Sequence, residues 1–299
     1  MALDFSAWQP ILLLVEFVGI GLLGLGFLVK DSRSHLMRAA GWILFGVYWP
    51  FQAPQFFNAA EADPVNGWFT LLGPLFLLWI AWHEWKSYQW NEDPAALRWF
   101  AGASAIAALT YFVIFEIPGV QRWIILQTAL QSNWLLGFLF GVQGTVVQDT
   151  LGDAHIFLNG GTDYAVTVVL ACTAIQSMMI FVGAILCLQA DPRRKWLGYL
   201  MTVPTIYFLN LFRNAGIVYG YKILNWSMFG IDSFEWMHSY VGKIGSLLAL
   251  VVIALGVFWT LPELHSNILD LFDLRKRRAP GFFKPKRPSP DAPAAPESG

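Results

Sequence analysis

Long apolar stretches separated by short polar loops dominate this chain. A membrane-spanning helix requires about 20 mostly apolar residues, and seven segments meet that requirement. The predicted spans are Trp8–Val29, Ala39–Phe57, Trp68–Trp85, Leu97–Phe115, Tyr164–Gln189, Trp196–Tyr221 and Ser233–Leu261. The pattern therefore predicts an all-α polytopic membrane protein with about seven transmembrane helices.

Two segments between the fourth and fifth predicted spans differ from the rest. Trp123–Gly141 is apolar but contains several amide side chains, and a crossing here would move the basic cluster Arg193–Lys195 outside. That placement opposes the positive-inside rule, so we expect an interfacial or re-entrant helix on the outer side. The β-rich runs Thr145–Leu151 and His155–Asn159 predict a small extracytosolic hairpin.

The distribution of charge fixes the expected orientation. Only 13% of residues are charged, against about 25% in soluble domains, which excludes a soluble enzyme. Most Lys and Arg follow the first, third, fifth and seventh predicted spans, while the loops Asn58–Gly67 and Gly141–Asp163 carry acidic residues and no base. The single bases Arg122 and Lys222 are exceptions. We therefore expect the N-terminus outside the cell membrane and the C-terminus in the cytosol.

The chain is expected to divide into two unequal parts. Residues 1–270 form the integral membrane domain. Residues 271–299 form a basic, Pro-rich cytosolic tail, and such a composition is typical of a solvated, disordered segment near anionic lipid headgroups.

Few ionisable or nucleophilic side chains lie inside the predicted spans, and such groups are functional candidates because burying them is costly. They are Glu16, Cys172, Arg213, His238 and Lys243. On ideal helices, Cys172 and Arg213 each lie ~12 Å from the outer helix end. His238 lies ~7.5 Å and Lys243 ~15 Å from that end. The sequence thus predicts a thiol, a guanidinium and an imidazole in the outer half of the membrane.

These three groups have complementary chemistry. A thiol attacks as its thiolate, which a nearby positive charge favours. Arginine stays protonated even when buried, so it cannot serve as a base, but it can bind a scissile carbonyl or stabilise an oxyanion. Histidine transfers protons near neutral pH. The set suits acyl transfer from a peptide bond through a thioester.

Each residue also has a simpler explanation. A cysteine in an apolar helix usually packs as a small hydrophobic residue, and Cys187 keeps that interpretation. His238 could be a polar helix-end residue, Lys243 could extend to the interface, and Glu16 could be a hydrogen-bonded carboxyl or a counter-ion. The sequence has no metal-ligand or nucleotide-binding motif, so we expect no metal, no cofactor and no nucleic acid partner.

Three short motifs give a more specific indication. Ala171–Ser177 reads ACTAIQS, Leu211–Gly216 reads LFRNAG, and a helix then contains His238 and Gly242–Leu247. The set, in this order, resembles the exosortase/archaeosortase family, in which A-C-[ST]-[GA]-I, F-R-N and a His or basic residue follow one another. One departure is Ala174, where many relatives have glycine.

The resemblance implies a membrane-embedded cysteine transpeptidase with sortase-like chemistry on an unrelated fold. Cys172 would be the acyl-thioester nucleophile, Arg213 its essential partner, and His238 or, alternatively, Lys243 the third member. The substrates would be exported surface proteins, such as an S-layer glycoprotein, with a C-terminal sorting signal. That signal is a short motif (Pro-Gly-Phe in the archaeosortase branch), a transmembrane helix and a basic tail. The cleaved protein would pass to a membrane lipid.

Two other functions use the same side chains. Intramembrane Arg, Lys and Glu also line the paths of transporters and lipid carriers, although the inverted repeats typical of such proteins are not evident in the sequence. An intramembrane protease that only hydrolyses its substrate would share every candidate residue.

Overall fold

Helices make up most of the computed structural model, which describes residues 8–57, 64–158, 161 and 163–278. The helices are α1 Gln9–Leu28, α2 Ser34–Phe57, α3 Pro64–Trp90, α4 Ala95–Glu116, α5 Pro118–Phe140, α6 Ile175–Leu186, α7 Pro192–Val218, α8 Ser233–Glu235, α9 Lys243–Thr260 and α10 Pro262–Asp273. Two π-helical turns, Tyr219–Ile223 and Trp236–Gly242, follow α7 and α8.

The apolar helices confirm a membrane protein that is mainly α-helical. Within the described ranges, three helices are long and apolar enough to cross a bilayer: α1, α4 and the continuous helix Ser233–Thr260, which joins α8 to α9. The number of seven spans and the orientation of the chain remain predictions.

A small antiparallel sheet replaces part of one predicted span. The expected hairpin is present as β1 Gly144–Gln148 and β2 Ala154–Leu158, and β3 Tyr164–Val168 adds a third strand. The predicted span Tyr164–Gln189 is therefore wrong. Its first residues form β3, and α6 has 12 residues, or ~18 Å, against about 30 Å of hydrocarbon. A short apolar run such as this one fits a strand as well as a buried helix.

The sheet has its own polar contacts. On β2, His155 Nε2 lies 3.1 Å from Asp149 Oδ2, and His155 Nδ1 lies 3.0 Å from Thr167 Oγ1 on β3. The hydrogen bond from His155 lowers the pKa of Asp149. The other oxygen of Asp149 accepts the backbone N–H groups of residues 151–153. These contacts fix the turn between β1 and β2.

Helix α5 lies against this sheet. It covers the expected helix Trp123–Gly141 except for its last residue, beginning earlier, at Pro118, and ending at Phe140. Gln148 Nε2 donates to Arg122 O at 2.8 Å, and Asn133 Nδ2 donates to Gly144 O at 2.9 Å. The helix and β1 are thus tied at two points, while its interfacial or re-entrant placement stays a prediction.

A buried ion pair joins α2 to α3. Arg38 and Glu84 are both fully buried, and Arg38 Nε lies 2.7 Å from Glu84 Oε1. His35 Nδ1 lies 2.7 Å from the other carboxylate oxygen, and Arg38 Nη1 donates to Gly26 O. Because buried charges need partners, these contacts hold α1, α2 and α3 in one arrangement.

The expected boundary between the membrane domain and the tail falls inside α10. Leu271 and Leu274 are buried, and Arg277 donates to Glu92 at 2.7 Å. Residues 271–278 therefore pack with the helices, and residues 279–299 lie outside the described part of the chain.

Helix α6 packs closely on α4, which determines where the chain before α6 lies. A Cβ atom at Gly183 would clash with Ala103 O and would lie 3.2 Å from Ala107 N. Trp99 Nε1 donates to Ala184 O at 2.9 Å one residue further on. The two backbones meet because glycine leaves room at the contact.

We expect Gly183→Ala to lower the free energy of unfolding by about 1–3 kcal/mol, because the new methyl group overpacks the contact with α4. Gly21→Ala is the matched control, since nothing lies within 4 Å of a Cβ at Gly21 and alanine favours helix. Thermal unfolding in detergent, followed by circular dichroism, measures both. Equal midpoints for the two variants would contradict the close contact.

Removing one partner of the buried ion pair should cost more than removing one partner of an exposed pair. Glu84→Ala leaves the buried Arg38 charge without its main carboxylate partner. We therefore expect the free energy of unfolding to fall by about 3 kcal/mol. Glu263→Ala removes the partner of Arg194 in a partly exposed pair, and the expected loss is below about 1 kcal/mol. The same unfolding measurement compares them, and a larger loss in Glu263→Ala would refute this ranking.

Candidate active site

Cys172 lies in a turn between the sheet and α6. Residues Leu170–Thr173 form one turn of 3-10 helix, in which Cys172 N donates to Val169 O at 2.9 Å. The expected position of Cys172 eight residues inside a helix is therefore wrong. It instead precedes the N-terminus of α6, where the partial positive charge of a helix favours anions.

The residue that starts α6 has an unusual backbone conformation. Ala174 has a φ of +57° and a ψ of +14°, the left-handed region that glycine adopts without penalty. For a residue with a Cβ the conformation costs roughly 1–2 kcal/mol. An alanine therefore occupies a backbone conformation that favours glycine.

Two asparagine side chains of α7 bind the cysteine backbone. Asn210 Nδ2 donates to Cys172 O at 2.7 Å, and Asn214 Nδ2 donates to the same oxygen at 3.1 Å. The sequence assigned neither residue a role. Their spacing of four on one helix was a usable signal, because it places both side chains on one face, but nothing in the sequence shows what that face meets.

Arg213 lies beside these residues. Its Nη1 donates to Asn214 Oδ1 at 3.4 Å, and its Nε donates to Gly242 O on the last long helix at 3.4 Å. The Asn214 amide that accepts from the guanidinium also donates to Cys172 O at 3.1 Å. The structure therefore brings Arg213, on α7, close to the turn that contains Cys172.

A cavity of about 350 Å³ opens between α7 and α9 next to this pair. Its polar lining includes Ser177, Asn210, Arg213 and Ser246. The remaining lining is mostly apolar, so the cavity combines one positive charge with hydrocarbon-like walls. Such a combination suits a chain segment or a lipid group that has a polar end.

Neither candidate for the third member of the site, His238 or Lys243, lines this cavity. Both side chains are half-buried. The His238 ring stacks on Phe234, with centroids 5.3 Å apart and planes 4° apart. The π-helical turn that contains His238 has a wider helical period than an α-helix, so depths and facing calculated for an ideal helix do not apply here.

Glu16 and Cys187 lie away from the cysteine turn in the chain. Glu16 is fully buried in α1, and its carboxylate oxygens have no hydrogen-bond partner within the described residues. Cys187 is a buried free cysteine at the end of α6. In the described part of the chain, no group of three or more His, Cys, Asp or Glu side chains could hold a metal ion.

A family model and two curated proteins match the sequence of this chain, and they point to the same group of proteins. The family model of the transmembrane exosortases matches residues 123–255, which include the cysteine turn and both basic candidates. Archaeosortase A of Haloferax volcanii is 26% identical over 286 residues, which cover 86% of this chain and 92% of the relative. Archaeosortase A of Natronomonas pharaonis is 25% identical over 264 residues and 81% of each chain.

No solved structure matches the chain, so the relationship depends on sequence. The family model covers every candidate residue except Glu16, and the two relatives align along most of their own lengths. The resemblance indicated by the short motifs is therefore confirmed: this chain is similar to the transmembrane exosortases and to archaeosortase A.

Proposed function

We propose that this protein is a membrane-embedded cysteine transpeptidase that processes exported surface proteins. Its substrates carry a C-terminal signal made of a Pro-Gly-Phe motif, a transmembrane helix and a basic tail, as in an S-layer glycoprotein. The relatives named archaeosortase A support a sorting enzyme of this general kind. The observation that carries the thiol chemistry is the position of Cys172, which precedes the N-terminus of α6 and is connected through Asn214 to the Arg213 guanidinium.

The chemistry follows from the groups at hand. The Cys172 thiolate attacks the scissile carbonyl, and the developing oxyanion is stabilised by the Arg213 guanidinium. The C–N bond then breaks, a proton passes to the leaving amine, and a thioester remains on Cys172. His238 is our first candidate for the proton donor and Lys243 the alternative. An amine or hydroxyl of a membrane lipid attacks the thioester, loses its proton and regenerates the thiol.

The fold suggests how a peptide reaches the thiol. Strand β3 leads directly into the cysteine turn, so a segment bound against the sheet is delivered close to Cys172. Asn210 and Arg213 also line the cavity between α7 and α9. In the predicted orientation this site faces the outer half of the membrane, where the motif before a remaining C-terminal helix would lie.

Cys172→Ala and Cys172→Ser are expected to abolish substrate cleavage, because no thioester can form, while the protein remains in the membrane. Cys187→Ser is the matched control and should retain cleavage, because Cys187 is buried at the other end of α6. Mass spectrometry of the new C-terminus of a substrate in proteoliposomes shows both the cleavage site and the acceptor.

Three outcomes of that experiment separate the alternatives. Normal processing by Cys172→Ala would overturn the nucleophile. A free carboxylate on the product in the presence of lipid would show hydrolysis rather than transfer. Solute or lipid flux that persists in Cys172→Ala without any cleavage would favour a transporter or lipid carrier.

His238→Ala is expected to lower kcat by roughly 10²–10⁴-fold, the usual contribution of a general acid–base residue. Lys243→Gln should then have a small effect. Lys222→Gln, which removes an exposed cation near the Tyr221 ring, controls for a general loss of positive charge. Single-turnover cleavage assays compare the three variants. A large loss in Lys243→Gln together with a small one in His238→Ala would reverse the assignment.

A further inference from the structure

Two amide side chains hold the backbone of the cysteine turn from α7. Asn210 and Asn214 are both less than a tenth exposed. Each donates its Nδ2–H to the carbonyl oxygen of Cys172, at 2.7 and 3.1 Å. A carbonyl oxygen has two lone pairs, so these two donors occupy both of its acceptor positions. A single peptide group of the turn is thus fixed to a different helix by two bonds.

The turn needs support of this kind because its backbone is strained. The chain leaves β3, passes through one 3-10 turn and enters α6 through Ala174 at a φ of +57°. Strained backbone persists where the surrounding structure over-determines it, and it occurs often at functional sites. The two bonds act at Cys172 itself, two residues before the strained position.

Asn214 also connects this turn to the charge of Arg213. Its Oδ1 accepts from Arg213 Nη1 at 3.4 Å while its Nδ2 donates to Cys172. One planar amide therefore sets the distance between the guanidinium and the cysteine peptide. Asn210 supplies the second hydrogen bond to Cys172. A variant of Asn210 therefore removes one support of the turn, whereas a variant of Asn214 also removes the link to Arg213.

We propose that Asn210 and Asn214 are positioning residues of the thiol site, which hold the Cys172 peptide so that the thiol stays beside Arg213. The inference rests on the proposed role of Cys172 as the nucleophile. Both residues act through Cys172 and Arg213 rather than on the substrate. Because a shift of about 1 Å in a reacting group can cost ~100-fold in rate, losing either amide lowers turnover while substrate binding changes little.

The test compares two alkylating reagents on a protein with one thiol. In a Cys187→Ser background, the rates of Cys172 alkylation by iodoacetate and by iodoacetamide are measured in detergent. The ratio of the iodoacetate rate to the iodoacetamide rate rises with the local positive potential, because iodoacetate is an anion and iodoacetamide is neutral. Arg213→Gln gives the ratio without the guanidinium, and kcat and KM for substrate cleavage are measured in parallel.

Asn133→Ala is the matched control for the two asparagine variants. The Asn133 amide also donates to a backbone carbonyl, Gly144 O at 2.9 Å, but it supports β1 instead of the cysteine turn. We expect Asn214→Ala to lower the ratio to near the Arg213→Gln value and Asn210→Ala to lower it in part. Both should reduce kcat ~100-fold with KM within about twofold, and Asn133→Ala should keep the wild-type ratio.

Wild-type ratios and kcat in both asparagine variants would overturn the proposal, and so would an equal fall in Asn133→Ala. If the alanine variants unfold, Asn210→Leu and Asn214→Leu fill the same space without a donor and give the same comparison. Normal cleavage by Cys172→Ala would refute the proposed role of Cys172 as the nucleophile. It would not decide the positioning role of the two asparagines, because the alkylation ratio tests the position of the thiol without reference to activity.

Discussion

Polar groups inside an apolar helical bundle must find partners within the protein, because lipid offers none. At one end of this bundle, Arg38 and Glu84 are both fully buried and meet at 2.7 Å. Near the sheet, Asn210 and Asn214 are buried and meet the carbonyl of Cys172. These two sets of contacts join different helices, and a cluster of buried apolar side chains packs the rest of the interior.

This constraint also shapes the thiol site. A cysteine inside a continuous helix would have its carbonyl bonded to its own helix, with no need for side-chain donors. In this fold Cys172 lies where a strand changes into a helix through a left-handed residue. The arrangement is analogous to the strained strand-to-helix turn that exposes the nucleophile in α/β-hydrolases. Two amides from a neighbouring helix then provide the support that regular structure does not.

The helices with long apolar patterns were the easiest part of this fold to predict. The ranges predicted for α1, α2 and α4 differ from the observed ends by a few residues, because about 20 apolar residues in a row have few other stable arrangements. The span predicted from Tyr164 failed because five apolar and β-branched residues fit a strand equally well. Their pairing with β2 decided the outcome, and pairing is a contact that no local pattern shows.

The sequence by itself determined the membrane character, the hairpin of β1 and β2, and the resemblance to the exosortases, because length, hydropathy and short motifs are local properties. The tertiary structure decided that Cys172 lies in a turn before α6 and that Asn210 and Asn214 donate hydrogen bonds to its carbonyl oxygen. It also showed that Arg38, which follows the first apolar stretch, is buried against Glu84. Each of these features depends on which helix face meets which loop, and that choice is made by packing across the whole bundle.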